Sequence, residues 1–230
     1  MAIAFDDATS SQVDASNTLT WSHTVAAGSN KILIAAVAAE DNADATHNKV
    51  SSVTFNGESF TKIRNDETTA SNNDNCELWY LLNPTSTAAN IVVTWAGSVE
   101  GGIGMVMGFT GVDQTAPDAS NGGSAVAPSS VDPSVVSIVD NSLIVSVCVG
   151  ISSGVSITVD TGTQAENVTN TGQLRAACAY TLDGGTAGTE LHGYTFGSVN
   201  DCAYTIAALA PATTTAVKDL IMSGFIPFAR

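Results

Sequence analysis

The sequence predicts an all-β fold, and three observations carry that prediction. Apolar and polar residues alternate at period two in window after window. Strand-sized runs are separated by clusters of Gly, Asn, Asp, Ser or Pro. No window of a dozen residues shows a helical period before the far carboxyl end. So many short strands at this spacing mean a sandwich or a barrel.

The elements follow in order. Leu19, Trp21, His23 and Val25 fall on one face of residues 18–25, with Thr, Ser and Thr between them, which makes a half-buried strand. Residues 31–38 form the next strand. The apolar run there, from Ile32 to Ala39, is far short of the roughly 18 residues that cross a membrane. Residues 51–63 read as two β runs joined by Asn56-Gly57, a pair that tolerates the positive φ of a type I′ turn, so they form a hairpin. Further strands are expected at 77–82, 90–96, 103–109, 134–139, 142–149, 155–159, 173–181, 189–196 and 202–209, about fourteen in all.

The two halves of the chain resemble each other. Tyr80 aligns with Tyr180, Ile91 with Leu191, and Gly97-Ser98-Val99 with Gly197-Ser198-Val199. The run from Asn30 to Val37 aligns with that from Asn141 to Cys148 in the same relative order. Residues 1–212 are therefore expected to hold two pseudo-repeats, about 18–110 and 134–209, with Gly122–Ser130 as a short linker. One fourteen-strand sandwich fits this pattern, and so do two small tandem sandwiches. Aromatic residues make up only 6% of the chain, which favours the single sandwich, because each half alone is poorly supplied for a core.

Composition narrows the partners. The chain has 230 residues, only 13% of them charged, and a formal net charge of −15. A field of that sign repels phosphate backbones and anionic lipid heads, so neither nucleic acid nor a membrane surface is expected as a partner. The amino terminus has neither a basic n-region nor a long apolar h-region, so no signal peptide is expected and the chain is read as made in the cytoplasm of its host.

Candidate chemistry is sparse. His23, His47 and His192 lack metal-ligand spacing. His192 shares a strand face with Glu190 and stands near Asp201 in sequence, but no nucleophile motif accompanies them. A G-x-S-x-G elbow and an alternating run of acidic residues are both missing from the sequence. No catalytic residue and no cofactor is assigned, and the chain is read as a non-enzyme. Asp41, Asp44 and Asp74 are the calcium candidates, because Glu40–Asp44 and Asn72–Asn75 put hard oxygen ligands in loops. Asn and Asp in such turns ordinarily cap backbone donors instead. Cys76, Cys148, Cys178 and Cys202 read as small buried thiols, with one disulfide such as Cys178–Cys202 or a metal site as alternatives. Trp21, Trp79 and Trp95 alternate as core residues do, although Trp79, Tyr80, Trp95 and Tyr194 would bind sugars if a face displayed them.

Five blocks carry a family resemblance: Gly28–Ala35, Ser52–Thr61, Glu77–Pro84, Gly108–Gln114 and Ala203–Leu209. Together they resemble a jelly-roll-like β-sandwich module of tailed-phage virion proteins and large bacterial surface proteins, over roughly residues 15–212. The resemblance implies a display, adhesion or assembly module located in a virion, and it implies no active-site residues.

After Leu209 the pattern changes. Residues 213–230 form a short tail with Leu220, Ile221, Met222, Phe225, Ile226 and Phe228. Leaving such side chains in water costs on the order of 1.5–3 kcal/mol each, so something is expected to cover them. The tail either folds back on its own sandwich or docks on a neighbour. The function these features imply is capsid decoration, or a fibre or tail component. Its partners would be further copies of itself and a major capsid or other virion protein. A carbohydrate-binding or adhesion module that takes surface glycans is the alternative.

Overall fold

The computed structural model describes residues 1–41, 49–68, 73–152, 154–170, 174–182 and 185–213. Among these residues every regular element is a β-strand and every pairing is antiparallel. The first half contains β1 (Ala4–Thr24), β2 (Ile32–Glu40), β3 (Val50–Phe55), β4 (Glu58–Ser59), β5 (Thr61–Glu67), β6 (Asp74–Leu82) and β7 (Ala88–Thr110). The second contains β8 (Ala119–Val126), β9 (Ser130–Val131), β10 (Ser134–Val136), β11 (Leu143–Ile151), β12 (Ile157–Val159), β13 (Thr163–Thr169), β14 (Leu174–Thr181), β15 (Thr189–Leu191), β16 (Tyr194–Phe196) and β17 (Asp201–Leu209).

The long strands β1 and β7 organise the first half. They pair along their length, with a register shift between Ser16 and Thr18, and the two sides of that shift belong to different limbs of one sheet. The carboxyl part of β7 pairs β2, which pairs β6 and then β5, whereas its amino part pairs β3. The sheet thereby curls into a nearly closed, barrel-like form around Leu19, Trp21, Phe55, Ile91, Trp95 and their neighbours. Glycine permits this closeness. A Cβ on Gly104 would sit 2.5 Å from the Trp21 ring, and one on Gly102 would sit 2.7 Å from the Trp95 ring.

The second half repeats this strand order. Its five-stranded sheet runs β13-β14-β11-β17-β8, as the first runs β5-β6-β2-β7-β1, and its outer piece runs β12-β16-β9 where the first has β3-β7-β1. Local detail agrees. Tyr80 stands opposite Ile34 and Thr61, and Tyr180 stands opposite Val145 and Thr163. The register slips between Lys62 and Arg64 in one half and between Gln164 and Glu166 in the other. Asn30 and Asn141, each just before the inner strand, both take a left-handed φ, 54° and 60°.

The limb β5-β6-β2-β7-β1 of the seven-stranded first sheet and the five-stranded second sheet pack face to face through one apolar cluster. Ile32, Ile34, Leu78, Met105 and Phe109 come from one side, and Val145, Val147, Leu174, Cys178 and Leu209 from the other. β1 lies against β13 and β5 against β8. Each rim thus joins one edge strand to the counterpart of the other edge, the pattern of a two-fold interface. Polar contacts close the rims: Ser10 Oγ donates to Glu166 Oε2 at 2.9 Å, and Arg64 Nη2 donates to Gly122 O at 3.4 Å. Phe5 stacks on Tyr180 with ring centroids 4.7 Å apart, while Phe109 meets both rings edge-on.

Several expectations need correction. Among the described residues there are seventeen strands, because 189–196 divides in two, short outer strands and the unexpected edge strands β8 and β13 appear, and 90–96 merges with 103–109 into β7. The expected linker from Gly122 is largely strand β8, an edge strand on β17. Its glycines lie where Asp66 and Tyr204 press against the backbone. All four cysteines are free and buried. Cys178 faces the inter-sheet cluster and Cys202 the opposite side of the same sheet, on strands separated by β11, so that pair cannot form a disulfide.

Gly104→Ala should destabilise the chain by about 1–3 kcal/mol, because the methyl group strikes the packed Trp21 ring. Gly188→Ala, where a Cβ meets only one atom at 3.7 Å, should change stability by less than about 0.5 kcal/mol. Urea denaturation of the two variants checks the contrast.

Candidate functional site

The histidine candidates lie inside the protein. His192 Nδ1 shares a hydrogen bond with Ser146 Oγ at 2.6 Å, Ser146 Oγ contacts Tyr194 Oη at 2.5 Å, and Thr181 Oγ1 lies 3.1 Å from His192 Nε2. A Ser–His pair is the arrangement of an activated nucleophile, but Ser146 is 0% exposed and His192 1%, so no substrate reaches them. The network satisfies polar groups inside a core. Burial lowers the His192 pKa to about 4, which holds the ring neutral. Asp201 stands opposite Ile151, roughly 17 Å along β11 from Ser146 at ~3.4 Å per residue, so the sequence neighbours Glu190, His192 and Asp201 form no common centre. His23 is buried too and meets Thr9 Oγ1 at 3.0 Å, which also accepts from Trp21 Nε1 at 3.1 Å. His47 lies outside the described residues.

The acidic candidates gather at one end of the inner sheets. Glu40 lies opposite Asp74 in register, and Asp201 begins β17 at the same end. All three strands place these residues in phase with side chains of the inter-sheet cluster: Ala38, Cys76 and Ala203. Asp74 is fully buried, and neither of its carboxylate oxygens finds a hydrogen-bond partner. Burial, with Glu40 and Asp201 nearby, pushes its carboxyl up to about 9. Glu77 shows the opposite solution to the same problem. It is equally buried, but it accepts from Val50 N at 3.0 Å and Trp79 Nε1 at 2.8 Å and pairs with Lys62 Nζ at 2.8 Å. Of the calcium candidates, Asp41 is buried beside this end, with its carbonyl accepting from Asn73 Nδ2 at 3.3 Å, and Asp44 lies outside the described residues. Among the described residues no three His, Cys, Asp or Glu side chains converge closely enough to hold an ion.

The aromatic candidates for sugar contact are turned inward. Trp79, Trp95 and Tyr194 are buried, and Tyr80 is half-buried against the inter-sheet cluster.

An exposed apolar stripe lies at the opposite end from the carboxylates; Val126, 70% exposed and opposite Asp201, stands apart from it. Along 134–139 the side chains alternate, with Val135 and Ser137 inward and Val136 and Ile138 outward, 59% and 68% exposed. Leu191, opposite Ser134 on β15, and Val139 extend this stripe. Two residues beyond Val139, Asn141 lines a cavity of about 550 Å³ together with Met1, Ala2, Ile3, Leu182 and Pro211. Both chain ends of the described fold meet at its edge: the Met1 ammonium donates to Ala212 O at 2.6 Å, and Pro211 bridges Val112. The tail residues Leu220, Ile221, Met222, Phe225, Ile226 and Phe228 lie outside the described residues, and the described chain leads toward them from this edge. No signal in the sequence separated the exposed Val136 and Ile138 from the buried Val135, because a β-strand offers both faces to apolar residues.

The chain matches no protein-family model and no curated protein. Among the described residues no helix is long and apolar enough to cross a membrane.

Asp74 supplies a pH test. An unfolded aspartate titrates near 3.9, so between about pH 4 and 9 the folded chain keeps a proton that the unfolded chain releases. The contribution is fully present below about pH 4 and is lost as pH rises toward 9. In Asp74→Asn that loss should vanish, so the variant's melting temperature relative to the parent should climb steadily from pH 5 to pH 9. His192, whose pKa is lowered, weakens the fold as pH falls below about 6.5, equally in both proteins. Calorimetry across this range checks it; a difference independent of pH contradicts the protonated Asp74.

Proposed function

We propose that this protein is a non-enzymatic structural component of a virus particle: a jelly-roll-like β-sandwich built from two pseudo-repeated halves in one chain. It decorates or cements a capsid, or forms part of a fibre or tail, and assembles through its β faces and its apolar carboxyl segment. The observation that carries this reading is the exposed stripe of Val136, Ile138, Val139 and Leu191, which runs up to an open cavity at the end where the chain leaves for six large apolar residues. A soluble chain that keeps both an apolar patch and an apolar segment has a use for them, and contact between subunits is the commonest.

Other features support it. The groups that resemble a catalytic pair, Ser146 and His192, are consumed in core hydrogen bonds. The net charge of −15 keeps a densely displayed protein soluble and away from nucleic acid. The sequence blocks resemble virion modules, and the partners they imply are further copies of the chain and a major capsid or other virion protein. Surface glycans were the alternative partner, but Trp79, Trp95 and Tyr194 are buried and do not favour it.

Light scattering after size exclusion tests the proposal by comparing the full chain with a chain ending at Thr213, which keeps every described strand. The full chain should elute as a trimer or larger assembly and the shortened one as a monomer. Two monomers would contradict assembly through the carboxyl segment.

A further inference from the structure

The cavity beside Asn141 has a counterpart in the first half that the chain itself covers. There Val112 N donates to Asn30 O at 3.1 Å, and Gln114 Nε2 donates to Lys31 O at 3.2 Å, so the segment that follows β7 lies over the turn before β2. By strand order and register β17 corresponds to β7 and Asn141 to Asn30. The chain after β17 nevertheless takes another course. Ala212 N donates to Gly111 O at 2.8 Å, and its carbonyl accepts from the Met1 ammonium. The backbone at Ala212 is thus bonded to Gly111 and not to Asn141, and among the described residues the place that Val112–Gln114 fill in one half is a cavity in the other.

We propose that this cavity is the socket for the carboxyl-terminal apolar segment, Leu220–Phe228, of a second copy of the chain. The inference rests on the assembly reading above and names the joint. Three features select a second copy as the occupant. The lining residues Met1, Ala2, Ile3, Leu182 and Pro211 are apolar, and 550 Å³ is the size of a site that swallows several side chains. Asn141 at the cavity comes two residues after Val139, the last of the exposed Val136, Ile138 and Val139, so a segment with six large apolar residues has further apolar surface close by. Thr213–Asp219 are small or polar apart from Val217. At ~3.3–3.6 Å per residue they carry Leu220 up to roughly 25 Å from the rim, a reach long enough to seat the segment on a neighbour. A patch on one surface that takes a segment from another surface makes a head-to-tail contact, which closes into a ring or continues as a filament according to its rotation.

Two full-length variants and a peptide test the socket. Ala2→Trp fills it from an exposed position without removing a core side chain, and Leu182→Glu charges its wall. Each should raise the concentration at which the assembly half-dissociates by about tenfold or more. Ala2→Trp should do so with the monomer's thermal unfolding near that of the parent, whereas Leu182 also packs on the inter-sheet cluster, so Leu182→Glu lowers the monomer's stability as well. Excess synthetic peptide 214–230 should dissolve the parent assembly and bind the chain ending at Thr213, but not its Ala2→Trp form. If loss of the segment dissolves the assembly while both variants and the peptide leave it intact, the assembly reading stands and the socket is wrong. If the full chain is monomeric and the peptide binds only the shortened chain, the segment occupies its own cavity and the second copy is excluded.

Discussion

Two strands buried on both faces set the terms for the rest of the structure. β2 and β11 are buried along all nine of their residues, so each needs an apolar partner above and below. On one side they face each other's sheets through the cluster that joins the halves. On the other, the first is enclosed by the curling sheet of β1, β3 and β7, and the second by β9, β12 and β16 together with β10. Neither inner sheet can be exposed without putting a full face of Ile, Leu, Val, Met and Phe into water, at about 25 cal/mol for each Å². The halves are therefore held to one another by the same force that builds each of them.

Polar groups inside such a fold must be satisfied or neutral, and the chain uses both solutions. Glu77 is surrounded by donors and paired with Lys62; Ser146, His192, Thr181 and Tyr194 satisfy one another. Asp74 lacks partners and keeps its proton, which removes the like-charge conflict with Glu40 directly across the strand pair. None of these groups is available for chemistry on an outside molecule. The proposed assembly rests instead on the apolar stripe and the cavity.

Much of the fold was legible because strand periodicity and turn chemistry are local. Leu19, Trp21 and Val25 fall on the barrel face, Asn56-Gly57 makes its hairpin with positive φ at both residues, and the paired Tyr80 and Tyr180 occupy equivalent places. The elements that escaped were edge strands. The amino part of β1 and the strand β8 are rich in Ser, Asp, Asn and Gly, because one side of an edge strand meets water and its pairing is set by the neighbour rather than by its own pattern. The site was less legible still. The calcium reading saw Asp41 and Asp74 as loop residues, whereas the pairing of β2 with β6 draws Asp74 into the interior. The cavity is built from Met1–Ile3, Asn141, Leu182 and Pro211, residues far apart in sequence that only the packing of the two halves brings together.

The shared apolar cluster makes the two halves one cooperative unit through their inner sheets. Native-state hydrogen exchange in rising denaturant measures this directly. Amides of β2 and β11 should exchange only through the same global opening, with equal free energies and equal denaturant dependence. Exchange of β11, β14 and β17 at a distinctly lower free energy than β2, β6 and β7 would show halves that open independently and would contradict it.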